Sequence, residues 1–410
     1  KVTTNDTNQV SVFTTSGVQL VGVDAAQLSF NAQGAVTPGT VWDADPATSG
    51  LGTLTLNFPQ GGSMDLIATR SIRSGAIAGY IELRDTTLVQ AQAQLDQLAA
   101  SLASVLSDQT VAGTPASSGG GDGFDLDLAG LQGGNVIHVS YKDNATGVTH
   151  NLSIVRVDDP SVLPLPNSAT NDPNDEVLGV DFSGGMAAVT AQLNAALGSA
   201  GLQFSNPSGT TLRVLDDGVA NAVDITAAST TRTVTTANSG APQLALFTDG
   251  GAAFTGAITA GGAQQTGLAA RITVNAGLVS DPSQLIAYAS GTVAGDTTRP
   301  DFILSQLTNA TMYYAPKTGV GTAGAPYKGT LLNYTQQFLA TQGNAADAAK
   351  QLADGQSVVL NTLQGKMDAA SGVNIDDEMA HLLALQNAYS ANARVMSAVK
   401  DMYDMLLQAM

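Results

Sequence analysis

The sequence predicts a multidomain α+β chain: helical material from both ends forms a long-helix inner rod domain, and one or more β-rich outer domains are inserted between. Three observations predict it. Apolar residues recur at heptad spacing from Ile81 to Val105, a Thr-, Gly- and Asn-rich middle carries period-two segments, and an amphipathic helical pattern runs from Asn374 to Met410. A chain of 410 residues also exceeds the roughly 250–300 residues at which a single core stops growing. More than one core is expected.

From Lys1 to Phe58 the alternation Val10, Val12, Thr14 and again Leu54, Leu56, Phe58, broken by Gly and Asn, predicts short antiparallel strands. The period then changes. Ile81, Leu88, Leu95 and Leu102 fall seven apart, with Ala91, Leu98 and Val105 at the alternate step, which is the seam of one long helix. Such a seam is expected to pack inside its own domain, so Leu95→Ala and Leu98→Ala are each expected to cost about 2–5 kcal/mol.

Thr114–Gly123, with Pro115 and Ser117-Ser118-Gly119-Gly120-Gly121, lacks periodicity and reads as a linker or exposed loop. Beyond it, Val136–Tyr141 and His150–Val157 flank the turn Asp143-Asn144-Ala145-Thr146-Gly147 and predict a hairpin. A helix is expected over Gly184–Leu197, with strands at Leu212–Leu215, Val223–Ile225, Thr231–Val234 and Arg271–Val274. Helix returns at Phe302–Leu307, at Leu331, Tyr334 and Phe338, and over Ala345–Met367. The expected division is residues 1–113 for the N-terminal part of the inner domain, 114–300 for the inserted β-rich part, and 301–410 for the helical C-terminal part.

The terminal helix opens on Asn374, an N-cap residue type, followed by Asp376, Asp377 and Glu378, which suit the positive end of its dipole. Its stripe of Val395, Val399, Met402, Leu406 and Met410 advances by steps of three and four, so one face needs a partner. About 36 residues of helix would extend about 54 Å, more than the remaining helices can cover. Assembly is the expected use of that face.

Composition narrows the function classes. Charged residues make up 12% of the chain, about half the usual share, and the polar remainder suits many copies packing side by side with few ions to desolvate. The net charge of −18 repels phosphate backbones and makes nucleic acid an improbable partner. Without Cys there is no disulfide framework or thiolate chemistry. No apolar run reaches the roughly 20 residues needed to cross a bilayer, so membrane insertion is not expected.

Ser371-Gly372-Val373-Asn374, followed by Glu378-Met379, Leu382, Gln386, Ala388-Tyr389, Asn392-Ala393 and Val395, resembles the C-terminal signature of flagellar rod, hook and hook-associated proteins. Gly79-Tyr80-Ile81-Glu82-Leu83-Arg84-Asp85, leading into Leu88, and Gly267-Leu268-Ala269-Ala270-Arg271-Ile272 are similar to the FlgK family of hook-associated proteins. The resemblance implies an extracellular, rod-like structural subunit exported unfolded by the flagellar type III pathway. It further implies a ring of identical copies at the hook-filament junction. Hook protein would lie below and the next hook-associated protein above, with an export chaperone as a transient partner. Family members begin with a long helical segment that pairs with the terminal helix, so an N-terminally trimmed chain is expected.

The residues expected to carry helix packing and assembly are therefore Ile81, Leu88, Leu95, Leu98, Leu102, Met379, Leu382, Tyr389, Val395, Val399, Met402 and Leu406. No catalytic residue, cofactor or metal is expected. Gly120-Gly121-Asp122-Gly123-Phe124-Asp125 partly matches a calcium-binding nonapeptide, but a single unstacked turn cannot complete a coordination shell. Asp172, Asp175 and Glu176 read as a solvated acidic loop. His138, His150 and His381 lack metal-ligand spacing, although a hairpin would bring the first two towards each other. Nucleophile elbows and phosphate loops are missing. The alternatives are another flagellar axial protein, such as hook protein or flagellin, and a secreted β-rich adhesin or enzyme, which would not explain the terminal helix.

Overall fold

A computed structural model describes residues 2–4, 9–14, 16–372 and 374–409. Lys1, Val373 of the Ser-Gly-Val-Asn motif and Met410 of the terminal stripe lie outside the described residues. The chain divides into two compact units, one ending at Thr341 and one beginning at Gln342, and the α+β class holds.

The N-terminal residues form two small antiparallel sheets. The first contains β1 (Val2–Thr4), β2 (Val10–Phe13) and β3 (Gln19–Val21), and the second β4 (Gln27–Phe30), β5 (Leu54–Asn57) and β6 (Ser63–Asp65). Leu56 and Leu66 are fully buried beneath the second sheet. Helix α1 (Gly75–Glu82) then runs through one π-turn (Leu83–Thr87) into α2 (Leu88–Ser107). The long helix expected around Ile81–Val105 is present, with one extra residue wound into it.

From α2 the chain passes into β7 (Asp108–Ala112), β8 (Thr114–Ser118), β9 (Gly121–Asp127), β10 (Val136–Asp143), β11 (Thr149–Val157) and β12 (Asp175–Asp181). Helix α3 (Gly185–Leu197), β13 (Gln203–Ser205), β14 (Thr211–Leu215) and β15 (Val223–Thr233) follow. A five-stranded sheet in the order β12-β11-β10-β15-β7 and a four-stranded sheet in the order β13-β14-β9-β8 result. Alternation on β10 turns Ile137, Val139 and Tyr141 to one side. They meet Leu126, Leu212 and Val214 of the other sheet and Val189 and Leu193 of α3 in the largest core.

Two expectations change here. Thr114–Gly123 is a hairpin instead of a linker. Gly119 and Gly120 supply the positive φ of its turn, 63° and 93°, and Pro115 is tolerated because β8 is an edge strand. The separate strands expected at Val223–Ile225 and Thr231–Val234 are one continuous strand, β15, because its length spans both β10 and β7.

The chain next forms small elements: β16 (Phe247–Asp249), β17 (Ala252–Ala253), β18 (Ile258–Thr259), β19 (Gly262–Ala263), α4 (Leu268–Arg271), β20 (Ile272–Val274) and α5 (Ala276–Ser280). Helix α6 (Thr298–Asn309), β21 (Thr311–Tyr314), β22 (Gly321–Thr322) and β23 (Ala325–Thr330) lead into two long helices, α7 (Leu331–Ser371) and α8 (Ile375–Ala409). The helix expected from Asn374 is α8. Asn374 caps it, its Oδ1 accepting from the Asp376 N–H at 3.1 Å.

Candidate assembly surfaces

Helix α2 is the spine of the first unit, and its buried face is mostly small or polar. Gln94, Asp96, Gln97, Ala99, Ala100, Ser101 and Ala103 are buried, while Leu88 and Leu95 are 55% and 46% exposed. The heptad seam therefore does not pack inside the domain at Leu88 and Leu95, contrary to expectation. Loops that must approach the helix backbone closely select small residues, and the buried polar ones gain partners on those loops. Asp96 Oδ2 accepts from the Gly267 N–H at 2.7 Å and its Oδ1 from the Ala269 N–H at 2.9 Å, which holds the start of α4. Gln94 Nε2 donates to the Thr318 carbonyl at 2.7 Å, and the Tyr334 hydroxyl donates to the Gln94 carbonyl at 3.1 Å.

Ile81, Leu98 and Leu102 are half-buried. Leu98 packs against a cluster in which Tyr314 and Tyr334 stack at 3.9 Å between ring centres, with Phe338 beside them. Burial pushes the Tyr334 phenol up to about 12 and that of Tyr314 further. Leu98→Ala is expected to destabilise by about 1–3 kcal/mol and Leu95→Ala by less than about 0.5 kcal/mol. Equal losses in urea titrations would show that Leu95 is covered in solution.

The chain enters and leaves the β module at one place. Val234 N–H donates to the Ser107 carbonyl and Leu244 N–H to the Leu106 carbonyl, each at 2.8 Å. Asp108 Oδ1 accepts from the Thr233 hydroxyl at 2.9 Å, and Asn135 Nδ2 donates to that hydroxyl at 2.9 Å. Burial pushes the Asp108 carboxyl up to about 6, against the lowering effect of its hydroxyl donors. A raised acid pKa favours the folded state most below the unfolded value of about 3.9, and this stabilisation is lost as pH rises through about 6. Asp108→Asn keeps the acceptor and removes the buried charge. It is expected to raise stability by about 1–3 kcal/mol at pH 7.5 and to change it little at pH 3.5, measured by denaturant unfolding at both values.

The groups that might have carried chemistry are engaged structurally. Asp125 holds Arg213 through both oxygens at 2.7 Å, which keeps its carboxyl below the usual range. Asp175 and Glu176 begin strand β12 instead of lying in a loop. His138 pairs across the hairpin with Ser153 and His150 with Tyr141, so the register separates the two histidines by three positions. Ser153 donates to Asp175 at 2.7 Å while His138 Nδ1 lies 3.2 Å from the same hydroxyl. That hydroxyl is 1% exposed at the residue level and unavailable as a nucleophile. Among the described residues there is no group of three or more His, Cys, Asp or Glu suited to a metal ion, and no helix long and apolar enough to cross a membrane.

The second unit is helical and open. In α8, Met379, Leu382, Tyr389, Val395, Met402 and Leu406 are between 54% and 80% exposed, and Val399 is half-buried. The predicted stripe is only part of the apolar surface. Leu383, Leu385, Met396, Tyr403, Met405 and Leu407 are also more than half exposed. Runs such as Met405-Leu406-Leu407 carried that signal, since adjacent apolar residues point about 100° apart around a helix. A helix apolar on several faces normally sits among several neighbours.

Comparison with known families bears on both ends of the chain. Residues 1–126 match the flagellar hook-associated protein FlgK helical domain, and residues 364–409 match the flagellar basal body rod FlgEFG protein C-terminal domain. The two matches together support a FlgK-family flagellar hook-associated protein. No curated protein matches the chain. The matched domains are structural ones and support a structural role in the bacterial flagellum. The FlgK-family segment Gly79–Asp85 forms the end of α1 and the start of the π-turn. There Arg84 donates from Nη1 to the Gly52 carbonyl at 2.8 Å and pairs with Asp85. Gly267–Ile272 is the α4 turn held by Asp96.

Proposed function

We propose that this FlgK-family chain joins hook to filament as a ring of identical subunits and is required before filament can assemble. The single observation that supports this most directly is the apolar surface of α8, exposed on several faces. An isolated helix of that kind gains its stability from neighbours and is an aggregation liability without them. In the proposed mechanism the long helices pack in the axial layer with those of other copies, and the β module stands outside it. We take that module as residues 108–233, because the chain enters and leaves it at one hydrogen-bonded neck, in place of the 114–300 read from the sequence.

The subunit acts mechanically and performs no chemistry in this reading, needing no metal or cofactor. It is extracellular and reaches its place by type III export with a chaperone. Hook protein contacts it on one side and the next hook-associated protein on the other. Electron microscopy of cells lacking the protein tests the role. Hooks without filaments are expected, and filaments attached to bare hooks would reject it.

A further inference from the structure

The spine changes its winding at the point where its support changes. From Gln94 onwards α2 has a buried face that is tied to loops at Asp96 and Gln94. Helix α1 has no buried residue, and Ile77 and Tyr80 are 47% and 70% exposed. Between them lies the π-turn Leu83–Thr87. A π-turn holds one residue more than α-helix in the same span and is poorer in energy, so it persists only where side contacts impose it.

Here the contacts come from Arg84. Its Nη1 donates to the carbonyl of Gly52, a buried glycine whose position leaves no room for a Cβ against the Asn31 carbonyl, and its Nε and Nη2 take both oxygens of Asp85. The guanidinium thus ties the wide turn to the backbone just before β5, at a fixed carbonyl.

We propose that the π-turn is a register switch in which Arg84 on the Gly52 carbonyl holds the π form. Its release lets residues 75–87 rewind as α-helix, rotating α1 by about 100° relative to α2. The rewinding re-aims Ile77 and Tyr80 without disturbing Gln94–Ser107. It is a property of the chain alone and stands whether or not the junction role does.

Hydrogen exchange of the full chain, read by mass spectrometry, tests the switch. With the tie gone the segment rewinds as α-helix, so Arg84→Met is expected to slow exchange over 75–82 at least threefold and leave 96–107 unchanged, and Arg84→Lys is expected to slow it by less than half as much. Deleting Thr86, whose side chain is exposed, removes the extra residue. Exchange over 75–82 should then slow at least threefold, and adding Arg84→Met should have no further effect. Unchanged exchange in Arg84→Met would overturn the proposal, as would an equal Arg84→Met effect with and without Thr86. If the deletion fails to fold by circular dichroism, the two Arg84 variants decide the matter alone.

Discussion

Replacing Arg299 by Met is expected to destabilise the first unit by about 3–5 kcal/mol, the largest loss from any single side chain in it. Arg299 is 0% exposed and pairs with no carboxylate among the described residues. Its guanidinium donates instead to six backbone carbonyls. Nε reaches Pro242 at 3.1 Å, Nη1 reaches Gln284 and Ala287 at 2.6 and 2.8 Å, and Nη2 reaches Ala237, Ala241 and Gln243 at 2.6, 3.0 and 3.3 Å. Burial lowers its pKa, but an arginine stays charged in the accessible pH range. The stretches 237–243 and 284–287 have little regular structure, so their carbonyls lack ladder partners. One side chain supplies them.

Methionine matches the stem of arginine and leaves those acceptors buried without donors, each an expense of about 1–3 kcal/mol unless water enters. Lysine has three donors on a flexible stem and cannot reproduce the fork. Arg299→Lys should therefore fall between wild type and Arg299→Met in denaturant unfolding. Wild-type stability in Arg299→Met would mean that water replaces the guanidinium at no cost.

Met402→Asp with Leu406→Asp is expected to abolish incorporation into the flagellum while leaving the isolated chain folded. Both residues are about 60% exposed, at 59% and 61%, so the carboxylates stay hydrated in the free subunit. In an axial layer they would be buried without partners, an expense far larger than any contact at that position restores. Complementation of a non-motile deletion strain, with circular dichroism on the purified variant, separates the two effects. Normal filaments and swimming would falsify the claim that this face holds the subunit in the axial layer.

The contrast between α2 and α8 explains where the sequence could be read. Both carry apolar residues at helical spacing, and both are helices. Spacing does not say which face is covered, because burial depends on what arrives from elsewhere in the chain. On α2 the arriving loops needed close approach and hydrogen-bond acceptors, so Asp96 and Gln97 went inside and Leu95 stayed outside. On α8 the large apolar residues other than Val399 stay more than half exposed.

By itself the sequence determined the α+β class, the long helices, the Asp143–Gly147 hairpin and the resemblance to flagellar hook-associated proteins. Periodicity, capping chemistry and short motifs are local properties that survive without knowledge of neighbours. Tertiary structure alone decided that Thr114–Gly123 pairs as a hairpin, since a Ser- and Gly-rich strand gains its order from β9 and not from its own residues. It also decided the neck at Asp108 and Thr233 and the six-carbonyl cradle of Arg299, contacts between residues 125 and up to 62 positions apart respectively. Such pairings leave no periodic trace, because each is fixed by where the fold brings one donor and one acceptor together.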